Sequence, residues 1–217
     1  MAVELKLQGN VTVCLAPEHK IILDLIGNGS RVLDLGCGGG DLLKALEVLK
    51  QVRAEGIELS EDCIQACVAK GLFNVHHGDL DEGLADYADK SMDYVMLTNT
   101  IQVLHRPLFL IKEMARVGKN CIISFPNFAY WPVRFQLFLR GRMPKSTRLP
   151  YEWYDSPNIH LTTLPDFRDF CRKANLSILK EFPLGTSSNG EYKPIRFMPN
   201  VFAEAALFVL EDTSPRP

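Results

Sequence analysis

The chain has no excess of positive charge: 24 lysines and arginines stand against 26 acids, a formal net charge of -2 over 217 residues. That balance argues against a general nucleic-acid binder and against an anionic membrane surface, which leaves proteins and small metabolites as partners. No C-x-x-C pair occurs among the six cysteines, Cys14, Cys37, Cys63, Cys67, Cys121 and Cys171. Scattered through mostly apolar patterns, they read as reduced cytosolic thiols and not as a disulfide framework. No run approaches the roughly 18 apolar residues of a membrane helix. Met1 to Gly9 mixes Glu4 and Lys6 with apolar residues and lacks the basic region and apolar core of a signal peptide. The expectation is a soluble, cytoplasmic chain. Repeats and low-complexity tracts are absent too, and the Ser/Asn/Gly-rich stretch 185–190 reads as a loop. With 47% apolar and 23% charged residues the chain can bury one core and is too short to need two, so a single domain over 1–217 is expected.

What is present is concentrated first in Arg31-Val32-Leu33-Asp34-Leu35-Gly36-Cys37-Gly38-Gly39-Gly40-Asp41. An apolar run ends in an acid, passes glycines at alternate positions (Gly36, Gly38, Gly40), and opens into the helical pattern Leu42, Leu43, Ala45, Leu46, Leu49. This reads as strand, tight turn and helix, a turn through which backbone amides can approach a bound nucleotide-like molecule. A dinucleotide would set its pyrophosphate on this turn, where Asp34 repels it, and the third glycine of G-x-G-x-x-G is replaced by Asp41. S-adenosylmethionine (SAM) suits the turn better, because it has no phosphate and its ammonium and sulfonium are attracted by a carboxylate. The next strand, Val52 to Ile57, ends at Glu58, close to the spacing of about 20 residues at which an acid meets a ribose diol.

At this point Asp34-x-Gly36-x-Gly38-x-Gly40 followed by Glu58 resembles the first two motifs of class I SAM-dependent methyltransferases. Cys121-Ile-Ile-Ser-Phe-Pro-Asn-Phe128, Gly141-Arg-Met-Pro144 and Tyr151-Glu-Trp-Tyr-Asp-Ser-Pro-Asn-Ile-His160 resemble one branch, the methionine biosynthesis protein W (MetW) family, over about Arg31 to Phe182. The resemblance implies a doubly wound, Rossmann-like α/β fold with a seven-stranded, mostly parallel sheet and one antiparallel strand. It implies SAM or S-adenosylhomocysteine at Asp34, Gly36, Cys37, Gly38, Gly40, Glu58, Leu59, Asp79, Leu80, Thr98 and Asn99.

In chain order, Val11 to Leu15 reads as a short strand. Pro17 to Ile26 reads as a helix stopped by Gly27-Asn28-Gly29, either closing the cofactor site or covering the first strand. Ser60 caps a helix to Lys70, and Phe73 to His77 is the third strand. Cys63 and Cys67 share that helix at i and i+4, a spacing that could hold a metal if His76 or His77 came close, but without further paired ligands at zinc-like spacing they read as core, and no metal is expected. Asp79 stands where an adenine amine could be bound. Ser91 to Thr98 is the fourth strand, whose end, Thr98-Asn99-Thr100, lies beside the methyl donor in an open α/β sheet. Methyltransferases of nucleobase amines carry an Asn or Asp, two prolines and an aromatic here; Asn99-Thr100-Ile101-Gln102 disfavours that chemistry. A helix over Leu108 to Val117 and a fifth strand over Cys121 to Ser124 follow. Thr163 caps a helix to Ala174, and strands Leu176 to Leu184 and Val201 to Leu210 form a hairpin before a frayed tail, Glu211 to Pro217.

The segment 125–160 is an insertion on this scheme. It carries Phe125, Phe128, Tyr130, Trp131, Phe135, Phe138, Tyr151, Trp153 and Tyr154 with Arg134, Arg140, Arg142, Lys145 and Arg148 between them. These residue types are enriched in interface hot spots. It reads as a lid placing Asn127, Tyr154 and His160 toward a donor, as a protein-docking surface, or as a helical insertion burying its aromatics; stacking on nucleic acid lacks a basic excess to support it. His105, in a loop, is a candidate general base beside a structural reading. Two functions follow. The MetW resemblance implies a SAM-binding accessory protein that docks on a homoserine O-acyltransferase and tunes methionine synthesis. The alternative is a methyltransferase acting on a small molecule, in which alignment alone can suffice without an evident acid/base pair.

Overall fold

A computed structural model of the chain describes residues 3–7, 11–146, 148–186 and 192–212. Of the loop read at 185–190, residues 187–190 lie outside the described residues, as do residues 213–217 of the tail read from Glu211. Gly185 and Thr186 instead end the strand Leu176–Thr186, and Glu211 and Asp212 the strand Ala205–Asp212, because strand pairing carries both past their apolar runs. The elements run β1 (Val3–Lys6), β2 (Thr12–Leu15), α1 (His19–Leu25), β3 (Arg31–Leu35), α2 (Asp41–Lys50), β4 (Arg53–Glu58), α3 (Glu61–Ala69), β5 (Val75–His77), β6 (Met92–Thr98), α4 (Pro107–Val117), β7 (Gly118–Pro126), α5 (Trp131–Arg140), α6 (Leu164–Lys173), β8 (Leu176–Thr186), β9 (Tyr192–Pro194), α7 (Pro199–Phe202) and β10 (Ala205–Asp212).

The main sheet has the order β5-β4-β3-β6-β7-β10-β8-β9. Strands β5, β4, β3, β6 and β7 pair in parallel, and β10 enters antiparallel between β7 and β8. This is the doubly wound α/β sheet expected, lengthened by one short edge strand, β9, antiparallel to β8. The order reverses between β3 and β6, so the crevice beyond their C-terminal ends is where such a sheet receives a ligand.

Both faces are apolar because the parallel strands are buried on both sides. On one face Leu33, Leu35, Val95, Leu97, Ile123 and Phe208 pack under Leu110, Ile111 and Met114 of α4 and Phe167 of α6. Phe167 lies 4.8 Å from Phe125 and 4.7 Å from Phe208 between ring centroids. On the other face Val32, Met96, Ile122 and Leu207 pack under Ile22 of α1 and Leu42, Leu43 and Leu46 of α2. The caps are those the sequence signals: the Ser60 hydroxyl accepts from the Cys63 amide, and that of Thr163 from Asp166.

Three local differences from the sequence reading have physical reasons. Strand β2 is half of a two-stranded hairpin with β1, whose four residues carry too weak an alternation to announce themselves. The last strand begins at Ala205 and not Val201, because Pro199 at a helix start takes residues 199–202 into α7. Strand β7 extends on both sides of Cys121 to Ser124, as pairing with β6 and β10 supplies partners its ends lack locally. Among the described residues no helix is long and apolar enough to cross a membrane.

Candidate functional site

The turn after β3 is built as its glycines suggest. Gly36, Gly38 and Gly40 all have positive φ, at +70°, +55° and +75°. At Gly40, the N-cap of α2, a Cβ would stand 2.5 Å from Leu72 Cδ1, so helix and sheet pack through the missing side chain. At Gly38 a Cβ would meet nothing within 4 Å. The loop is thus closed at its ends and open at its middle. Asp41, which stands where a dinucleotide motif has glycine, accepts from the Cys14 amide at 3.1 Å and pairs with Lys70 at 3.0 Å, tying the loop to β2 and α3. The Cys67 thiol donates to Gly38 O at 3.2 Å, and Cys37 is half-buried nearby.

Two acids face this turn. Asp34 is 1% exposed, and its Oδ1 is buried without a hydrogen-bond partner. Burial first, and the charge of Glu58 second, push its carboxyl up to about 8. A buried acceptor with no donor is costly and signals a group that a ligand satisfies. Glu58, at the end of β4, accepts from the amides of Gly38 (2.7 Å), Leu59 (2.9 Å) and Ser60 (2.9 Å), so it is held toward the loop by backbone alone.

The remaining sequence-picked residues fall into three groups. Along the crevice, Leu59 is exposed and Leu80 buried, while Asp79 caps a single 3-10 turn over Leu80–Glu82 by accepting from the Asp81 amide at 2.9 Å. At the end of β6, the Thr98 carbonyl accepts from the Thr100 hydroxyl at 3.0 Å, and Asn99, with φ +52°, sends its amide 2.8 Å to Glu18 Oε1. The candidate catalytic groups are not brought together. His105 is exposed and its backbone amide donates to Asp81 at 3.0 Å; Tyr154 is 72% exposed; His160 is exposed and its amide donates to the Gln102 carbonyl at 3.0 Å. The Asn127 side chain is buried and engaged, donating to the carbonyls of Ala203 (2.8 Å) and Asn200 (3.1 Å) and accepting from Ala129 N (3.1 Å).

Two residues that carry no local signal meet beside the end of β6. Glu18 is 1% exposed, just ahead of α1, and takes both guanidinium arms of Arg148 at 2.9 and 2.8 Å beside the Asn99 amide. Burial raises the Glu18 carboxyl, but these hydrogen bonds and the Arg148 charge outweigh it and hold the group below its ordinary range. The Arg148 guanidinium lies over the Tyr192 ring, 4.9 Å from its centroid. Residues 130 positions apart thereby join the α1 entry, the end of β6 and the 125–160 segment. Glu18 and Arg148 lack motif spacing, so only the fold reveals the pair.

The 125–160 segment itself exposes its aromatics. Of α5 only Val133 is buried, while Trp131, Phe135, Leu137, Phe138 (85%) and Leu139 are exposed, as are Tyr151, Trp153 and Tyr154. Its cations divide: Arg148 is spent on Glu18, Lys145 pairs with Glu152 at 2.6 Å, and Arg134 donates to the carbonyls of Ala129 (2.5 Å) and Asn200 (3.4 Å).

A family model described as methionine biosynthesis protein MetW matches residues 16–210, nearly the whole chain. The chain belongs to the MetW family. A curated relative, the bifunctional methionine biosynthesis protein MetXA/MetW of Rhodopirellula baltica, is 35% identical over 178 residues, 78% of this chain and 28% of that protein. The chain therefore spans little more than a quarter of that relative's length. Among solved structures, a Thermotoga maritima SAM-dependent methyltransferase, described as a possible histamine N-methyltransferase, superposes with a TM-score of 0.65 at 16% identity, over 90% of this chain and 88% of that one. A Haloferax volcanii putative methyltransferase, solved in complex with the Trm112 methyltransferase activator, gives 0.64 at 18% identity, over 91% and 90% of the two chains. A Mesorhizobium loti SAM-dependent methyltransferase gives 0.65 at 15%, over 90% and 97%. At these identities the superpositions establish the fold of this MetW-family chain as that of SAM-dependent methyltransferases.

Proposed function

We propose that this chain binds SAM in the β3–β6 crevice and acts as an accessory partner of a homoserine O-acyltransferase in methionine biosynthesis, its exposed α5 face docking on the enzyme. The observation that carries the SAM site is Asp34 Oδ1, a fully buried acceptor without a donor beside a glycine turn open at Gly38. The donor and acceptor set fits the ligand: SAM brings an ammonium and a sulfonium, both positive, to an acid that lacks a partner. Glu58 uses three of its roughly four acceptor positions on backbone amides. A ribose diol would take the fourth and compete with the Gly38 amide for Oε2. Leu59, Leu80 and Asp79 would hold the base, and Thr98 and Asn99 would stand at the methyl-donor end. When bound, SAM supplies an activated methyl group; the protein's own residues orient it.

The docking half rests on α5 and on the fused relative. A ten-residue helix that buries one side chain and exposes five large apolar ones does not stabilise the chain on its own. Exposed apolar area of this kind marks a protein-binding face. The Rhodopirellula baltica protein joins MetXA and MetW in one polypeptide, which fits modules that work in contact. A protein that binds the pathway's end product and touches an early enzyme can couple the two, provided that SAM favours one state of the complex.

Isothermal titration with SAM and S-adenosylhomocysteine tests the shared premise. Wild type should bind both, Glu58→Ala should lose at least about tenfold in affinity through the diol contact, and Gly38→Val should abolish binding by filling the open middle of the turn. Unchanged affinity in both variants would remove the site.

A further inference from the structure

Arg148, the partner of Glu18, also lines a cavity of about 130 Å³. It is lined by Pro126 and Asn127 after β7, Tyr130 and Val133 at the start of α5, Ser146, Arg148 and Leu149 from the returning segment, and Glu204 just before β10. Water occupies about 30 Å³ per molecule in the liquid, so the cavity holds the equivalent of about four waters, or a ligand of a few non-hydrogen atoms.

The charges of the lining decide what fits. Arg148 is already neutralised, since both of its arms end on Glu18. Asn127 has its amide and carbonyl committed to backbone. Glu204 differs. Its carboxylate accepts only from neutral groups: the Thr186 hydroxyl at 2.8 Å, the Tyr130 hydroxyl at 3.3 Å and the Thr186 amide at 3.4 Å. Among the described residues no lysine, arginine or histidine lies within ion-pair distance of it. With no cation beside it among the described residues, the Glu204 charge is left available to a cation that enters the cavity. The effect is felt next door: burial, then the Glu204 charge, push the Tyr130 phenol up.

We propose that this cavity is a second ligand site, taking a small organic ammonium ion on Glu204, with the Tyr130 and Ser146 hydroxyls beside it. The site stands on its own lining and does not require that SAM bind. It adjoins the SAM crevice through Arg148, Glu18 and Asn99, so occupancy of one can be felt at the other. The ammonium can come from a simple amine or from an amino acid, and Arg148 is placed to meet the carboxylate of the latter only with the donors that Glu18 leaves.

The test is titration of the full chain with ethanolamine, L-alanine and L-lactate at millimolar concentration, read by calorimetry or by chemical shifts, with S-adenosylhomocysteine titrated in parallel. Ethanolamine should bind and lactate should not; alanine binding as well assigns an amino acid, and its failure assigns a simple amine. Glu204→Gln, which keeps the shape and removes the charge, should weaken the ammonium ligand at least about tenfold. Val133→Phe, which fills the cavity from the α5 side, should abolish it. Both variants should keep wild-type affinity for S-adenosylhomocysteine, which shows that they fold and separates this site from the crevice. No ethanolamine binding by wild type, equal binding by Glu204→Gln, or lactate binding as well as ethanolamine would each overturn the proposal.

Discussion

At the scale of single residues, Asp34 carries the most information. Its carboxyl, lifted to about 8 by burial and then by Glu58, is mostly protonated at neutral pH without a ligand. An arriving cation favours the ionised form and lowers that value, so SAM binding at pH 7 should release roughly one proton. Calorimetry in buffers of different ionisation enthalpy measures this directly. Release should fade as the pH passes 8, where Asp34 is already ionised, and affinity should rise with pH up to that point and then level. Asp34→Asn should abolish the release. The same residue was legible in the sequence, because an acid ahead of a glycine turn is a local pattern with a local meaning. The Glu18–Arg148 pair was not, since two residues 130 positions apart meet only through the fold. Replacing Arg148 with Met leaves Glu18 buried and unpaired, and should cost about 3–5 kcal/mol of stability in denaturant unfolding. Glu18→Gln together with Arg148→Met should recover a large part of that loss, because no lone charge then remains buried.

At the scale of elements, α5 is set apart by what it exposes. Helices α2, α4 and α6 each bury an apolar stripe against the sheet; α5, like α1 and α3, buries a single residue, but it leaves five large apolar side chains exposed. The sequence shows its aromatics but not the side they face, because Trp131, Phe135 and Phe138, at i, i+4 and i+7, have the spacing of a core stripe as much as of a docking stripe. Exposure excludes the core stripe. Phe135→Asp with Phe138→Asp should change the chain's own thermal stability little, as surface substitutions do. It should abolish capture of a purified homoserine O-acyltransferase in a pull-down; retention of the enzyme would move the docking face elsewhere. Arg134 is a poorer probe of docking, since its hydrogen bonds to Ala129 and Asn200 hold α5 in place. The short strands β1 and β9 escape a sequence reading for the reason that the long buried strands do not. Three or four residues give no period, and their pairing is settled by neighbours far along the chain.

At the scale of the whole molecule, the sheet order puts two features on connected ground. The reversal between β3 and β6 opens a crevice beyond their C-terminal ends, and the Glu18–Arg148 pair ties the segment between β7 and α6 to Asn99 at the end of β6. On the proposed reading a ligand in the crevice would meet Asn99; Asn99 donates to Glu18, and Glu18 holds Arg148 in the segment that follows α5. If both bind as proposed, SAM and the acyltransferase would bias the same segment, and linkage requires that any effect run both ways. The direct measurement is the affinity of a purified homoserine O-acyltransferase for this chain, by calorimetry or interferometry, without SAM and with SAM at saturation. A complex should form whose dissociation constant SAM changes by about fivefold or more. A complex of identical affinity in both conditions, or no complex in either, would contradict the accessory role.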